Sequence, residues 1–73
     1  MIYAAIGTNV LVSALLNFRS HPGQVLLSVF KGETIPLVNE DILAEYRGVL
    51  ARKKFRFPPD LVDIILTRLA VAA

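Results

Sequence analysis

The sequence predicts an α/β protein ordered β-α-α-β-α-α, with two parallel strands and four helices, and three observations lead there. Two short apolar runs, Ile2–Ile6 and Thr34–Val38, are rich in strand-forming residues and too short for helices. Four longer stretches repeat their apolar residues at helical spacing, two after each run. Strands separated by helices cannot close a hairpin, so the pair is parallel and joined by a right-handed crossover.

Ile2-Tyr3-Ala4-Ala5-Ile6 is stopped by Gly7, and Thr8-Asn9 offers a cap for a first helix over Val10–Leu16. Ser20-His21-Pro22 restarts the chain, because proline is tolerated in a first helical turn where its missing N–H is not needed. Val25, Leu26, Val29 and Phe30 then share a helix face, and Gly32 supplies the stop. In Thr34–Val38, Pro36 lacks a donor and places that strand at an edge or ends it nearby.

Asn39 caps the third helix. Glu40 and Asp41 fall in its first turn and Arg47, Arg52, Lys53 and Lys54 towards its end, each sign where the helix dipole favours it. Ile42, Leu43, Tyr46, Val49 and Leu50 form its apolar stripe. Phe57-Pro58-Pro59-Asp60 opens the last helix, which runs to about Leu69 and spreads Leu61, Val62, Ile64, Ile65, Leu66 and Leu69 over roughly 200° of its circumference. That is wider than one core-facing stripe requires.

The chain has 73 residues, of which 55% are hydrophobic and 19% charged, with a mean hydropathy of +0.58. Such a chain is one unit, and its apolar excess calls for a partner chain, since so short a protein buries only about 60% of the surface it exposes when unfolded. Two strands alone make a poor parallel sheet, which reads as half of a domain. The absence of cysteine and the single histidine exclude disulfide frameworks, thiolate nucleophiles and Cys/His zinc sites. A net charge of +2 is compatible with nucleic acid without identifying it. Residues 1–18 carry no charged side chain, but Gly7, Thr8, Asn9, Ser13 and Asn17 interrupt any membrane span, and no positive region precedes the apolar run as a signal peptide requires. A cytoplasmic protein with no membrane association is expected.

The stretch Ile6-Gly7-Thr8-Asn9-Val10-Leu11-Val12-Ser13-Ala14-Leu15 resembles the opening of the PIN-domain ribonucleases, which include the toxins of many toxin–antitoxin pairs. There a strand ends in an Asp followed by Thr-Asn and an apolar helix. The resemblance continues in order through Ile35-Pro36-Leu37-Val38, Ile42-Leu43-Ala44-Glu45-Tyr46 and Arg52-Lys53-Lys54-Phe55, and covers the N-terminal half of such a domain.

The resemblance implies a metal-dependent phosphodiesterase using Mg²⁺ or Mn²⁺, with carboxylates gathered at the C-terminal ends of parallel strands. Such cations choose oxygen ligands and can activate a bound water. It assigns catalytic and metal-ligating roles to Glu45, and to Asn9 the orientation of a carboxylate or metal-bound water. It implies RNA as substrate and an antitoxin protein as partner, while the wide apolar arc of the last helix and the unpaired edge of the first strand predict a homo-oligomer. Two departures lead us to expect a catalytically inactive chain: Gly7 stands where the family carries its first Asp, and the family's remaining acidic residues would follow Ala73.

Each residue also has a structural reading. Glu45 lies roughly 40° outside the apolar stripe of its helix, where it borders the buried face or simply faces Asp41 and Arg52 across helical turns. Thr8 and Asn9 can cap the first helix, at an N-terminus that attracts phosphate weakly. The segment from Arg47 to Arg56 holds five of the eight basic residues and no acid, interleaved with Phe55 and Phe57. It could follow a nucleic-acid backbone, or complement a helix C-terminus while its aromatics join the core. His21, without a second histidine, reads as a surface or capping residue.

Overall fold

A computed structural model of the chain describes residues 2–73. Its order is β1 (Ile2–Ala4), α1 (Thr8–Leu16), α2 (His21–Phe30), β2 (Thr34–Pro36), α3 (Glu40–Leu50), a 3₁₀ turn (Lys53–Phe55) and α4 (Pro59–Ala72). The strands pair in parallel, with Ile2 opposite Thr34, Tyr3 opposite Ile35 and Ala4 opposite Pro36. The expected α/β order, two strands and four helices, is therefore present.

The helix boundaries follow local chemistry. The Ser20 side chain accepts from the Gly23 N–H, and the Asn39 side chain accepts from the Ile42 N–H at 2.8 Å, each satisfying a first-turn donor that no backbone carbonyl can reach. Gly32 follows α2 with φ +82°, a left-handed conformation that glycine adopts without a Cβ penalty. Gly23 has a different necessity: a Cβ there would lie 2.2 Å from the Phe18 carbonyl oxygen, so its absence lets α2 pass against the end of the α1–α2 connection.

Five boundaries differ from the sequence expectation. β1 ends at Ala4 rather than Ile6, because its only partner strand in the described residues runs no further than Pro36, opposite Ala4. α1 begins at Thr8 rather than Val10, with Gly7 as its extended N-cap, because the turn after the strand is shorter than two capping residues would make it. Thr8 and Asn9 therefore lie inside the first helical turn and do not cap it. β2 stops at Pro36 rather than Val38: once Leu37 N–H reaches Ala4 O at 2.9 Å, β1 has ended. α3 ends at Leu50, so Arg52, Lys53 and Lys54 lie beyond it. α4 continues past Leu69 to Ala72, since no glycine or proline interrupts Ala70-Val71-Ala72.

The core is almost entirely helical. Leu11, Val12, Ala14 and Leu15 of α1 meet Leu26 and Val29 of α2, Tyr46 and Leu50 of α3, and Val62, Ile65, Leu66 and Leu69 of α4. Thr34 is buried in β2 and its hydroxyl shares a 2.9 Å hydrogen bond with Ser28. β2 is thus covered by helices, whereas β1 is not: Ile2 and Tyr3 point to opposite faces and are 64% and 63% exposed. Among the described residues no helix is long and apolar enough to cross a membrane.

Candidate functional site

The junction of β1 and α1 lies against α3. Ile6 is buried at that junction, and its carbonyl accepts a hydrogen bond from the Tyr46 hydroxyl, forty residues along the chain. Tyr46 is itself 1% exposed. A phenol that fills the core and ends on a backbone carbonyl fixes both the height and the rotation of α3, and so determines where its neighbour Glu45 stands.

Gly7, Thr8, Asn9 and Val10 on one side and Glu45, Val49 and Arg52 on the other line an open cleft of about 400 Å³. The structure thus brings together Gly7, Asn9 and Glu45, which are remote in sequence. Glu45 is exposed to this cleft rather than turned into the core, and so is Asn9. Arg52, just past α3, lines the same cleft. Its place there follows from the end of the helix at Leu50, a boundary the charge pattern concealed.

The electrostatics are mixed. The first-turn N–H groups of α1 have no side-chain acceptor, because Gly7 has none to offer. They and Arg52 favour an anion, while Glu45 favours a cation. Burial first, and the Glu45 charge second, push the Tyr46 phenol above its ordinary range. Tyr46 therefore remains a proton donor to Ile6 throughout neutral pH.

A hard divalent cation does not fit these donors. Mg²⁺ and Mn²⁺ sites are built from several oxygen ligands including carboxylates, and the cleft supplies one carboxylate, Glu45, with the Asn9 amide and the Thr8 hydroxyl beside it. Among the described residues no three His, Asp or Glu side chains come together in a way that could hold a metal ion.

The other singled-out residues lie elsewhere. Phe55 and Phe57 stack on each other with ring centroids 5.6 Å apart, half-buried against the core, and Lys54 sits over the Phe55 ring at 5.1 Å. Their ring faces serve packing. Arg47 pairs with Asp63 across α3 and α4 at 2.5 Å, an exposed ion pair of small energetic weight. His21 is exposed at the start of α2. Sequence reasoning placed Tyr46 in the apolar stripe but missed its bond to Ile6; a phenol at a core position, which needs a hydrogen-bond partner, was the signal.

A strand, a glycine-ended turn, an apolar helix and a glutamate delivered across it by α3 form one continuous pattern along the chain. The family model described as PIN domain matches residues 4–72, nearly the whole of it. No curated protein and no solved structure matches. From the last residue of β1 to the end of α4, then, this chain belongs to the PIN-domain family, a family of metal-dependent nucleases.

Proposed function

We propose that this protein is a PIN domain of nuclease descent that does not by itself cleave RNA, and that it works in the cytoplasm as an interaction module of the toxin–antitoxin kind. The observation that carries the first part is the composition of the cleft. Glu45 is its one carboxylate, and Gly7 stands at the position where the family's strand-end Asp is expected. Without that second acid, a Mg²⁺ or Mn²⁺ ion has too few hard ligands to be held and to activate water.

The second part draws on surface chemistry. β1 presents Ile2 and Tyr3 on opposite faces, with a free hydrogen-bonding edge, and α4 exposes further aliphatic side chains. A second copy of the chain, or an antitoxin protein, would cover such surface.

Incubating the purified chain with single-stranded RNA and Mn²⁺ tests the proposal. No cleavage above buffer is expected. Cleavage that EDTA abolishes, and that Glu45→Gln also abolishes, would show the cleft to be a working nuclease site.

A further inference from the structure

We infer that the turn after α3, through Arg52, Lys53, Lys54 and Arg56, is a docking surface for the phosphodiester backbone of nucleic acid that reads neither base nor sugar. It goes beyond the interaction module proposed above and depends neither on self-association nor on an antitoxin partner. The turn is fixed from inside. Phe55 and Phe57 stack with their ring centroids 5.6 Å apart and pack against the core. The N–H groups of Phe55 and Arg56 close the turn on the carbonyls of Arg52 and Lys53, at 3.1 and 3.2 Å. With both rings turned inward, the side chains around and between them face out, and Arg52, Lys53, Lys54 and Arg56 are all exposed.

Arg56 shows the cost of that arrangement. It sits between the two rings at φ +54°, a left-handed conformation in which glycine would be unstrained. Strained backbone that carries a long exposed side chain points to a use for the side chain. Charge points the same way. The four cations are half of the chain's eight Lys and Arg residues, and no acid lies between Glu45 and Asp60. Among the described residues none of the four makes an ion pair, whereas Arg47 on α3 is paired with Asp63. The turn therefore has a local positive field that the net charge of +2 conceals.

The chemistry of these side chains selects the occupant. Lys and Arg are donors with no acceptor, and the guanidinium fork meets two oxygens of a phosphate at once. A row of such groups on a rigid turn suits a polymer that carries a charge on every unit. Base stacking is closed to the turn, because Phe55 and Phe57 face each other and Lys54 lies over the Phe55 ring at 5.1 Å. With no side-chain acceptor, donors on base edges and on the ribose 2′-hydroxyl go unread. Arg52 also borders the cleft, where the Glu45 carboxylate repels a polyanion, so the surface runs along the turn rather than into the cleft.

Fluorescence anisotropy of the full chain with a labelled oligouridine and with its deoxy counterpart tests the inference. Both titrations are made in EDTA, where metal-dependent cleavage cannot occur, so the result is independent of whether the chain is a nuclease. The two strands should bind alike, and each doubling of salt should weaken binding about sevenfold, the slope for four cations on a single strand. Lys53→Gln and Arg56→Gly should each lower the logarithmic slope by about 0.7, while Lys31→Gln, which removes a cation from the end of α2, should leave it unchanged. Arg56→Gly should also melt no lower than the parent, which separates a side chain that faces a ligand from one that only holds the fold. A preference for the ribose strand of about tenfold or more would show sugar recognition and overturn the inference. Equal losses from Lys31→Gln and Lys53→Gln would reduce binding to net charge and overturn it too. Displacement of oligouridine by polyglutamate of equal charge, as readily as by unlabelled oligouridine, would make the turn an acidic-peptide surface instead. Absence of binding at low salt would overturn the inference and leave the proposed interaction module standing.

Discussion

Leu69 on α4 and Ile2 on β1 are both aliphatic residues of regular elements, yet Leu69 is fully enclosed and Ile2 is 64% exposed. The contrast extends to their surroundings. Around Leu69, four helices interlock through side chains from every element of the helical layer. Around Ile2, a three-residue strand is paired on one edge only and has neither face covered. The candidate site lies on the border between these two, where Ile6 is inside the core and Gly7 is outside it. A cleft at such a border has rigid support beneath it from Tyr46 and an unfinished rim.

The largest expected effect separates the two sides directly. Leu69→Ala should cost about 2–5 kcal/mol, through lost transfer energy and the cavity left behind, whereas Ile2→Ala should change stability by no more than about 0.5 kcal/mol. Urea unfolding of both variants measures this. Comparable losses would mean that the β1 surface is covered in solution and that the contrast is one of the single chain alone.

The support beneath the cleft comes next. Tyr46→Phe keeps the ring but leaves the Ile6 carbonyl without its donor, and should cost about 1–3 kcal/mol. The same phenol sets a pH signature. Its pKa is raised in the folded state, so its contribution to stability is complete below the unfolded value of about 10 and is lost as pH rises from there through the folded value. Thermal unfolding between pH 8 and pH 11 should show this alkaline loss in the parent and a weaker one in Tyr46→Phe. Identical profiles would show that Tyr46 does not hold the α3 turn in place.

The smallest effect concerns the loop that follows Arg52. Arg56 holds φ +54° without being glycine, a left-handed conformation that costs an L-residue about 1–2 kcal/mol. Arg56→Gly should therefore raise stability by about 1 kcal/mol in the same urea experiment. A loss would show that the arginine side chain makes a contact that outweighs its backbone strain.

Much of the helical layer was legible in the sequence because its determinants are local. Asn39 reads as a cap, and Pro22 and Gly32 as a start and a stop, from neighbours a few residues away. The misplaced boundaries share the opposite property. Whether α1 begins at Val10 or at Thr8, and whether β2 reaches Val38, depends on where another segment ends, and Val38 loses its ladder because β1 stops at Ala4. The resemblance proposed Glu45 and Asn9 as site residues, and no spacing rule placed them in one cleft. What joins them is the bond from Tyr46 to Ile6, and a contact spanning forty residues leaves no periodic trace. The run Arg47–Arg56 left two readings open, a nucleic-acid track or helix-end charges with aromatics in the core, and Phe55 and Phe57 do pack against the core. Its charges do not all stay together, because the helix end divides them: Arg47 is drawn to Asp63 and Arg52 to the cleft, while Lys54 covers Phe55.

The central claim is that the cleft keeps the framework of a metal site but lacks the carboxylates to hold the ion. Calorimetric titration with Mn²⁺ of the parent and of Gly7→Asp tests it most directly. Gly7 has φ −65° and ψ 154°, which any residue adopts, and a Cβ there meets nothing within 4 Å, so the substitution is tolerated by the fold. The parent should give no saturable heat at millimolar Mn²⁺, and Gly7→Asp should give binding that Glu45→Gln removes. Saturable binding by the parent itself, lost on Glu45→Gln, would contradict the account.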